Sequence, residues 1–352
     1  MKQYSGTSAD DVWRMAAADL INSPEYESTT RAGKTVEFLQ CALSISDPRA
    51  RWVYSRRPMY NPAFGLVEFI WIFNGENDSE VLKFWNPKLP NFSGSSKLLH
   101  GAYGYRLRKN FGIDQIQRAY LALKSNPMSR QVVLQIWDPC LDLPSELGHP
   151  SSSDIPCNIM SLLEIRDRRL FWTQVMRSND VMRGLPNNII QFTMLQEFFA
   201  SWLGCEMGDY MHISNSLHLY KDCIEEYGIS SESEPIVTSN ENQPLKITFE
   251  ETSVHLSAIY KDLLSIPHLQ SESCRENIRR KLVSIFAPNS QTNLHRPILI
   301  RDMLCVIGSD AARRLCDEEF AICLLNKCTN PMLRMVAMNW LKRNSKNGEG
   351  ND

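Results

Sequence analysis

The apolar residues of this chain recur in two different ways along its length. Over the first two thirds, short strand-like runs interchange with long helical patterns. Residues 1–27 predict a helix over DDVWRMAAADLI leading into a polar loop, and VEFLQCALSI predicts a strand. The run FGLVEFIWIF, residues 64–73, predicts a strongly apolar helix. Ile113, Ile116, Tyr120 and Leu123 recur at helical spacing over 113–124 and predict a core-facing helix. A loop over 126–130 leads to a buried strand, QVVLQIW, and the segment 138–156, with four prolines, predicts a turn-rich loop. NIMSLLEIR, the turn DRR and LFWTQVM predict a hairpin running into Arg177. A long helix over 188–203 follows, then a strand that opens at Gly208-Asp209 and ends at His218 and Tyr220. This is a mixed α/β (α+β) pattern, a mixed sheet with helices on one face.

From about residue 229 the pattern changes. SSESEPIVTSNENQP reads as a polar linker, LKITF as a short strand, and residues 252–265, 274–286, 298–327 and 330–342 as helices. The expected organisation is a domain over 1–228, a linker over 229–244, a helical extension over 245–344 and a disordered tail over 345–352. A chain of 352 residues with 43% hydrophobic content can bury a sizeable core. Its net charge of −2 and pI near 6.4 carry no electrostatic footprint for nucleic acid or an anionic membrane, though a few local arginines suffice for a phosphorylated small molecule. No apolar run reaches membrane-span length and the N-terminus is polar, so the chain reads as cytoplasmic. Ten cysteines without a CxxC pair argue against both a zinc site and a secreted disulfide framework.

Candidate chemistry concentrates in MRSNDVMRGLPNN, residues 176–188. Arg177 and Ser178 set a planar fork of donors beside a hydroxyl, a phosphate grip. Asn188 carries a donor and an acceptor, which suits a pyrimidine edge and a helix N-cap equally. Glu68 is a lone carboxylate in an apolar helix, where desolvation raises its pKa and makes it a candidate proton shuttle. Cys157 follows Asp-Ile-Pro at the start of a strand.

The order Pro-Cys157, then Arg177-Ser178-x-Asp180-x-x-x-Gly-Leu-Pro-x-Asn188, then a strand ending in His218-x-Tyr220, resembles the thymidylate synthase superfamily, which includes pyrimidine nucleotide hydroxymethylases. The likeness spans roughly residues 28–228. It implies a homodimeric enzyme that transfers a one-carbon unit from 5,10-methylenetetrahydrofolate to C5 of a pyrimidine nucleoside 5′-monophosphate. Cys157 is then the nucleophile that adds at C6 and turns C5 into an enolate-like carbon. A lowered thiol pKa is expected, with Arg177 supplying the field. Glu68 becomes the general acid/base, Tyr103 lines the pocket, and Asp180 stands where nucleotide and folate meet. Arg31, in Thr-Arg-Ala-Gly-Lys-Thr, and Arg130 join Arg177 and Ser178 on phosphate, with Arg130 reaching the other subunit's site. His218 and Tyr220 hold the sugar, and Asn188 pairs with uracil where cytidylate-specific relatives carry an aspartate.

Several positions depart from the synthase pattern. Asn158 follows the nucleophile instead of His, Met176 precedes Arg177-Ser178 instead of Gln, and Asn187 stands for Phe in Pro-Phe-Asn. Gln131 follows Arg130 where a second arginine is common, Leu107 replaces a Trp, and Ser216 and Leu217 replace the usual pair before His218. In place of a short apolar tail that closes over folate, the chain carries a helical extension and a polar tail. Loss of such a lid favours water over hydride as the trapping group, and hence a hydroxymethyl product. The rivals are reductive methylation, as in thymidylate synthase, and a catalytically reduced nucleotide-binding regulatory protein whose extension recruits a partner.

Overall fold

The computed structural model describes residues 1–30, 33–90, 94, 96–230 and 244–346. Its main sheet runs in the order β1 (Lys2–Gly6), β3 (Gly33–Ile45), β8 (Glu206–Tyr220), β7 (Arg169–Asp180), β6 (Asn158–Arg166) and β5 (Val133–Gln135). β2 (Tyr26–Thr30) shares the outer edge of β3 with β1. β1 pairs parallel to β3 and β7 parallel to β8, while the other pairs are antiparallel, so the sheet is mixed as expected. The predicted DRR turn closes the β6–β7 hairpin, with Asp167 and Arg168 at φ of 49° and 59°. Left-handed backbone at both central positions gives the twist a tight hairpin needs. A second, two-stranded sheet joins β4 (Arg56–Arg57) to β9 (Gly228–Ile229).

Helix α1 (Ala9–Asn22) begins with a capping box in which the Ser8 hydroxyl accepts from Asp11 N and the Asp11 carboxylate accepts from Ser8 N. α2 (Pro62–Phe73) starts on Asn61, whose side chain accepts from Ala63 N and Phe64 N, and proline fills its first position. α3 (Glu80–Trp85) and α4 (Gln115–Ser125) follow. α5 (Leu185–Leu203) packs on β7 and β8 and also on α2, and it ends at Gly204, left-handed at φ 63°.

The C-terminal helices are α6 (Phe249–Ser265), α7 (Arg275–Phe286), α8 (Ile298–Leu315), α9 (Glu318–Leu325) and α10 (Pro331–Lys346). They explain the composition of α2, in which every residue except Glu68 is buried. A helix apolar on all sides needs neighbours on all sides. α5 supplies one layer, and α6, α8 and α10 supply another. Polar clamps fix the second layer. Asn61 Nδ2 donates to Asp310 (3.0 Å), Asn74 Nδ2 to Leu256 O (3.2 Å), Trp202 Nε1 to Thr252 (2.9 Å) and Arg343 to Met59 O (2.9 Å). Asp310 is itself buried. Burial alone would raise its pKa, but Arg314 and Arg313, each 3.0 Å away, outweigh it and hold the carboxyl below its ordinary range.

Four sequence expectations change. LKITF forms no strand: residues 245–248 are extended without a sheet partner, and Phe249 opens α6. The predicted helix over 298–327 is two helices, because Asp317 caps a new one by accepting from Phe320 N. Ile113 is 41% exposed, ahead of the Asp114 cap of α4, while Ile116, Tyr120 and Leu123 are buried as expected. QVVLQIW is regular strand only over Val133–Gln135, although Val132, Ile136 and Trp137 also hydrogen-bond to β6 through the backbone. Residues 231–243 and 347–352, which hold most of the linker and tail, lie outside the described residues.

Asp310→Ala leaves Arg313 and Arg314 without their shared carboxylate beneath α2. Both arginines keep some solvent access, so the expected loss of stability in urea unfolding is about 3 kcal/mol, the lower end for breaking a buried ion pair.

Candidate active site

One cavity of about 880 Å³ opens between the sheet, α2, the N-terminus of α5 and the 137–157 loop. Glu68, Tyr103, Cys157, Arg177, Ser178, Asp180, Asn188, His218 and Tyr220 all line it. They arrive from five separate stretches of chain, so the sequence order and the spatial cluster are independent facts.

Cys157 stands at the mouth of β6, where the pairing with β7 shifts register between Asn158 and Met160. A bulge of this kind re-aims the first side chain of a strand. Arg177 N donates to Cys157 O (2.8 Å), its guanidinium donates to Pro156 O (2.9 Å) and Ile155 O (3.0 Å), and Nη2 lies 4.0 Å from Sγ. The loop thus fixes both the cation and the thiol. The expected lowering of the thiol pKa is not met. Burial pushes it above its ordinary 9.0, Arg177 opposes, and Asp154 and Asp180 add to the rise. One guanidinium does not offset desolvation plus two carboxylates.

Glu68 projects from α2 into the same space. Burial raises its pKa from 4.5 to about 7, and the hydrogen bond donated by Gln191 Nε2 to Oε2 pulls the other way. Tyr103 sits close enough for Cys157, Glu68 and Asp154 to reinforce the rise that burial imposes on its phenol. Gly104 permits that placement, since a Cβ there would fall 2.2 Å from Ile72 O on α2. The free site therefore keeps its thiol, phenol and part of its carboxyl protonated at neutral pH.

Ser178 Oγ lies 3.4 Å from His218 Nδ1, and the His218 and Tyr220 rings meet edge to face at 5.4 Å. Burial holds His218 below its ordinary pKa against the pull of Asp180 and Glu37, which leaves a neutral imidazole. Asp180 Oδ1 accepts from Met182 N and Arg183 N (2.7 Å each), bracing the turn into α5. Asn188 is not an N-cap: the helix begins at Leu185, and Asn188 Nδ2 donates to Gln191 Oε1 at 3.1 Å. Arg31 lies outside the described residues, and Arg130 is exposed, away from the cavity of its own chain.

A family model described as Thymidylate synthase matches residues 53–260, more than half of the chain. The chain belongs to the thymidylate synthase family. The family match runs past the linker into α6, so the first of the C-terminal helices falls within it. Among similar proteins, the Deoxyuridylate hydroxymethyltransferase of Pseudomonas phage M6 is 35% identical over 166 residues, 47% of this chain and 46% of that one. The protein of the same name from Bacillus phage SP01 is 29% identical over 234 residues, 63% of this chain and 60% of the relative. Thymidylate synthase 1/2 of Encephalitozoon cuniculi (strain GB-M1) is 26% identical over 219 residues, 55% and 69% of the two chains. The chain thus spans about half to two thirds of the length of these relatives.

Two residues of the site escaped sequence reading. Gln191 looked like one polar position on a core helix, yet its amide bridges Glu68 and Asn188. Trp137, at the end of a predicted strand, lines the cavity with its Nε1 buried and unpartnered. No helix among the described residues is long and apolar enough to cross a membrane.

The raised pKa of Glu68 has a stability consequence. Well below pH 4.5 the carboxyl is neutral in both states. As pH rises from there toward about 7 the unfolded chain ionises first, which disfavours folding progressively, and above 7 the full penalty stands. Glu68→Gln removes the penalty. The melting temperature of the variant relative to that of the parent is expected to rise from about pH 3.5 to about pH 7 and to level off above it.

Proposed function

We propose that this protein transfers a one-carbon unit from 5,10-methylenetetrahydrofolate to C5 of a pyrimidine nucleoside 5′-monophosphate, uridylate by preference, through a covalent Cys157–C6 adduct. The observation that carries this reading is the convergence of Cys157, Tyr103, Asn188 and a Glu68 poised near neutrality on one cavity. A volume of about 880 Å³ is at the upper end for small-molecule sites, generally about 300–1,000 Å³. Trp71, Ile72, Leu89, Leu99 and Trp137 give one part of it an apolar, aromatic wall. That wall fits the flat heterocycle of a folate.

Arg177 and Ser178 grip the nucleotide phosphate, and His218 and Tyr220 position the sugar. Asn188 meets the edge of the base. Cys157 bonds to C6 while its proton passes by way of Glu68 and ordered water to O4, as the C5–C6 π electrons move toward C5 and O4. When bound, the folate supplies the carbon that C5 attacks. Glu68, partly ionised at neutral pH, is the group able to take the proton that C5 then releases, while Tyr103 stays protonated beside it as a hydrogen-bond donor. Glu68 orders water and moves protons about O4, work suited to a carboxyl with a pKa of about 7. Once the bond between tetrahydrofolate and the transferred carbon has broken, water adds to that carbon to give the hydroxymethyl group, and Cys157 then leaves C6 as the C5–C6 double bond re-forms. The deoxyuridylate hydroxymethyltransferases among the relatives favour that outcome over reductive methylation, as does the polar Asn187 lining the cavity. Arg130, exposed beyond its own cavity, suits a homodimer in which it reaches the neighbouring site.

Mass spectrometry of products from dUMP, UMP, dCMP and CMP with methylenetetrahydrofolate tests this reading, with Cys157→Ala in parallel. The expected result is a hydroxymethyl product, tetrahydrofolate released, and no product from the variant. Dihydrofolate with a methylated product would instead establish reductive methylation. In the same assay Asn188→Asp is expected to shift the cytosine-to-uracil product ratio by about tenfold or more, the worth of one well-placed pair of base contacts.

A further inference from the structure

Two amides and a carboxylate form a relay that includes the base-reading residue. Gln191 is 1% exposed on the cavity face of α5, one turn beyond Asn188. Its Nε2 donates to Glu68 Oε2, and its Oε1 accepts from Asn188 Nδ2 at 3.1 Å. Glu68 Oε2 accepts that bond whether the carboxyl is ionised or carries its proton on the other oxygen, so Gln191 turns its NH2 toward Glu68 and its carbonyl toward Asn188. That carbonyl in turn demands the NH2 of Asn188. A flipped Asn188 would set carbonyl against carbonyl, and a flipped Gln191 would set its carbonyl against the carboxylate. Each fault leaves a buried acceptor unpaired.

We propose that Gln191 is the positioning residue that sets base choice, by locking the Asn188 amide in the orientation that reads uracil and rejects cytosine. With one Nδ2 proton engaged by Gln191, Asn188 presents its second proton and its Oδ1 to the ligand. Uracil offers the complement, an O4 acceptor beside an N3–H donor. Cytosine offers the reverse, an amino donor beside a bare N3, and meets like against like on both contacts. The phosphate, sugar and Cys157 hold the ring in place, so the base cannot shift to escape the mismatch. Asn188 by itself could serve either base through a rotation of its amide. The relay, anchored on Glu68, removes that freedom. This inference rests on the nucleotide reading above and names the element that makes it selective.

The test is calorimetric binding of dUMP and dCMP to the full chain and to two variants. Gln191→Met keeps the volume and removes both hydrogen bonds. Gln191→Glu keeps an acceptor for Asn188. The parent is expected to prefer dUMP, Gln191→Met to lose about tenfold of that preference, roughly one buried hydrogen bond, and Gln191→Glu to retain it. A role in packing alone would leave the ratio intact in Gln191→Met, and that result overturns the inference while sparing the functional reading. A parent that prefers dCMP also overturns the inference alone. A parent that binds neither nucleotide removes the functional reading and the inference together.

Discussion

Everything in this molecule turns on enclosing α2. Pro62–Phe73 is apolar on all sides and carries a single carboxylate, so it is stable only where protein covers it all round and where something answers that charge. α5 and the C-terminal helices give the cover, and Gln191 and a retained proton answer the charge. The same enclosure that buries Glu68 lifts its pKa to about 7, which is the property a proton shuttle needs. Stability and chemistry are therefore set by one packing decision, and the C-terminal helices are part of the site's construction although they contribute none of its named catalytic groups.

The electrostatics of the free cavity follow from that dryness. Desolvation raises Cys157, Tyr103 and Glu68 together, and each neighbouring carboxylate reinforces the effect on the thiol and the phenol. Arg177 is the counterweight. Two backbone carbonyls tether its guanidinium, so the cation stays beside Sγ rather than swinging to solvent. The thiol is thus held in place as a neutral group, and on the proposed reading its conversion to a nucleophile belongs to the loaded site.

Much of the fold was legible in the sequence because the local signals were strong and agreed with the tertiary outcome. NIMSLLEIR is β6 to the residue, the DRR turn closes its hairpin, and FGLVEFIWIF lies within α2. The cavity's residues were legible for a different reason, the preserved order of short polar motifs along the first domain. What was hidden is what depends on distant partners. LKITF has strand composition, but no edge of the sheet is offered to it, and its apolar residues pack instead beneath the start of α6. The thiol's raised pKa could not be read from a nearby arginine, because the sign depends on how dry the surroundings are. Gln191 gave no signal at all: a buried glutamine on a helix becomes meaningful only once Glu68, 123 positions away, is seen to face it.

The central claim is that Cys157, within reach of Glu68 and Asn188, bonds covalently to C6 while C5 takes up the folate carbon. 5-Fluoro-dUMP tests this most directly, because fluorine at C5 cannot leave as a proton and the adduct should accumulate. The protein would be incubated with it and methylenetetrahydrofolate, denatured, digested and mapped by mass spectrometry. The result required is a peptide containing Cys157 that carries the combined mass of nucleotide and folate, absent when the folate is withheld. An unmodified Cys157, or a label on another cysteine, would contradict it.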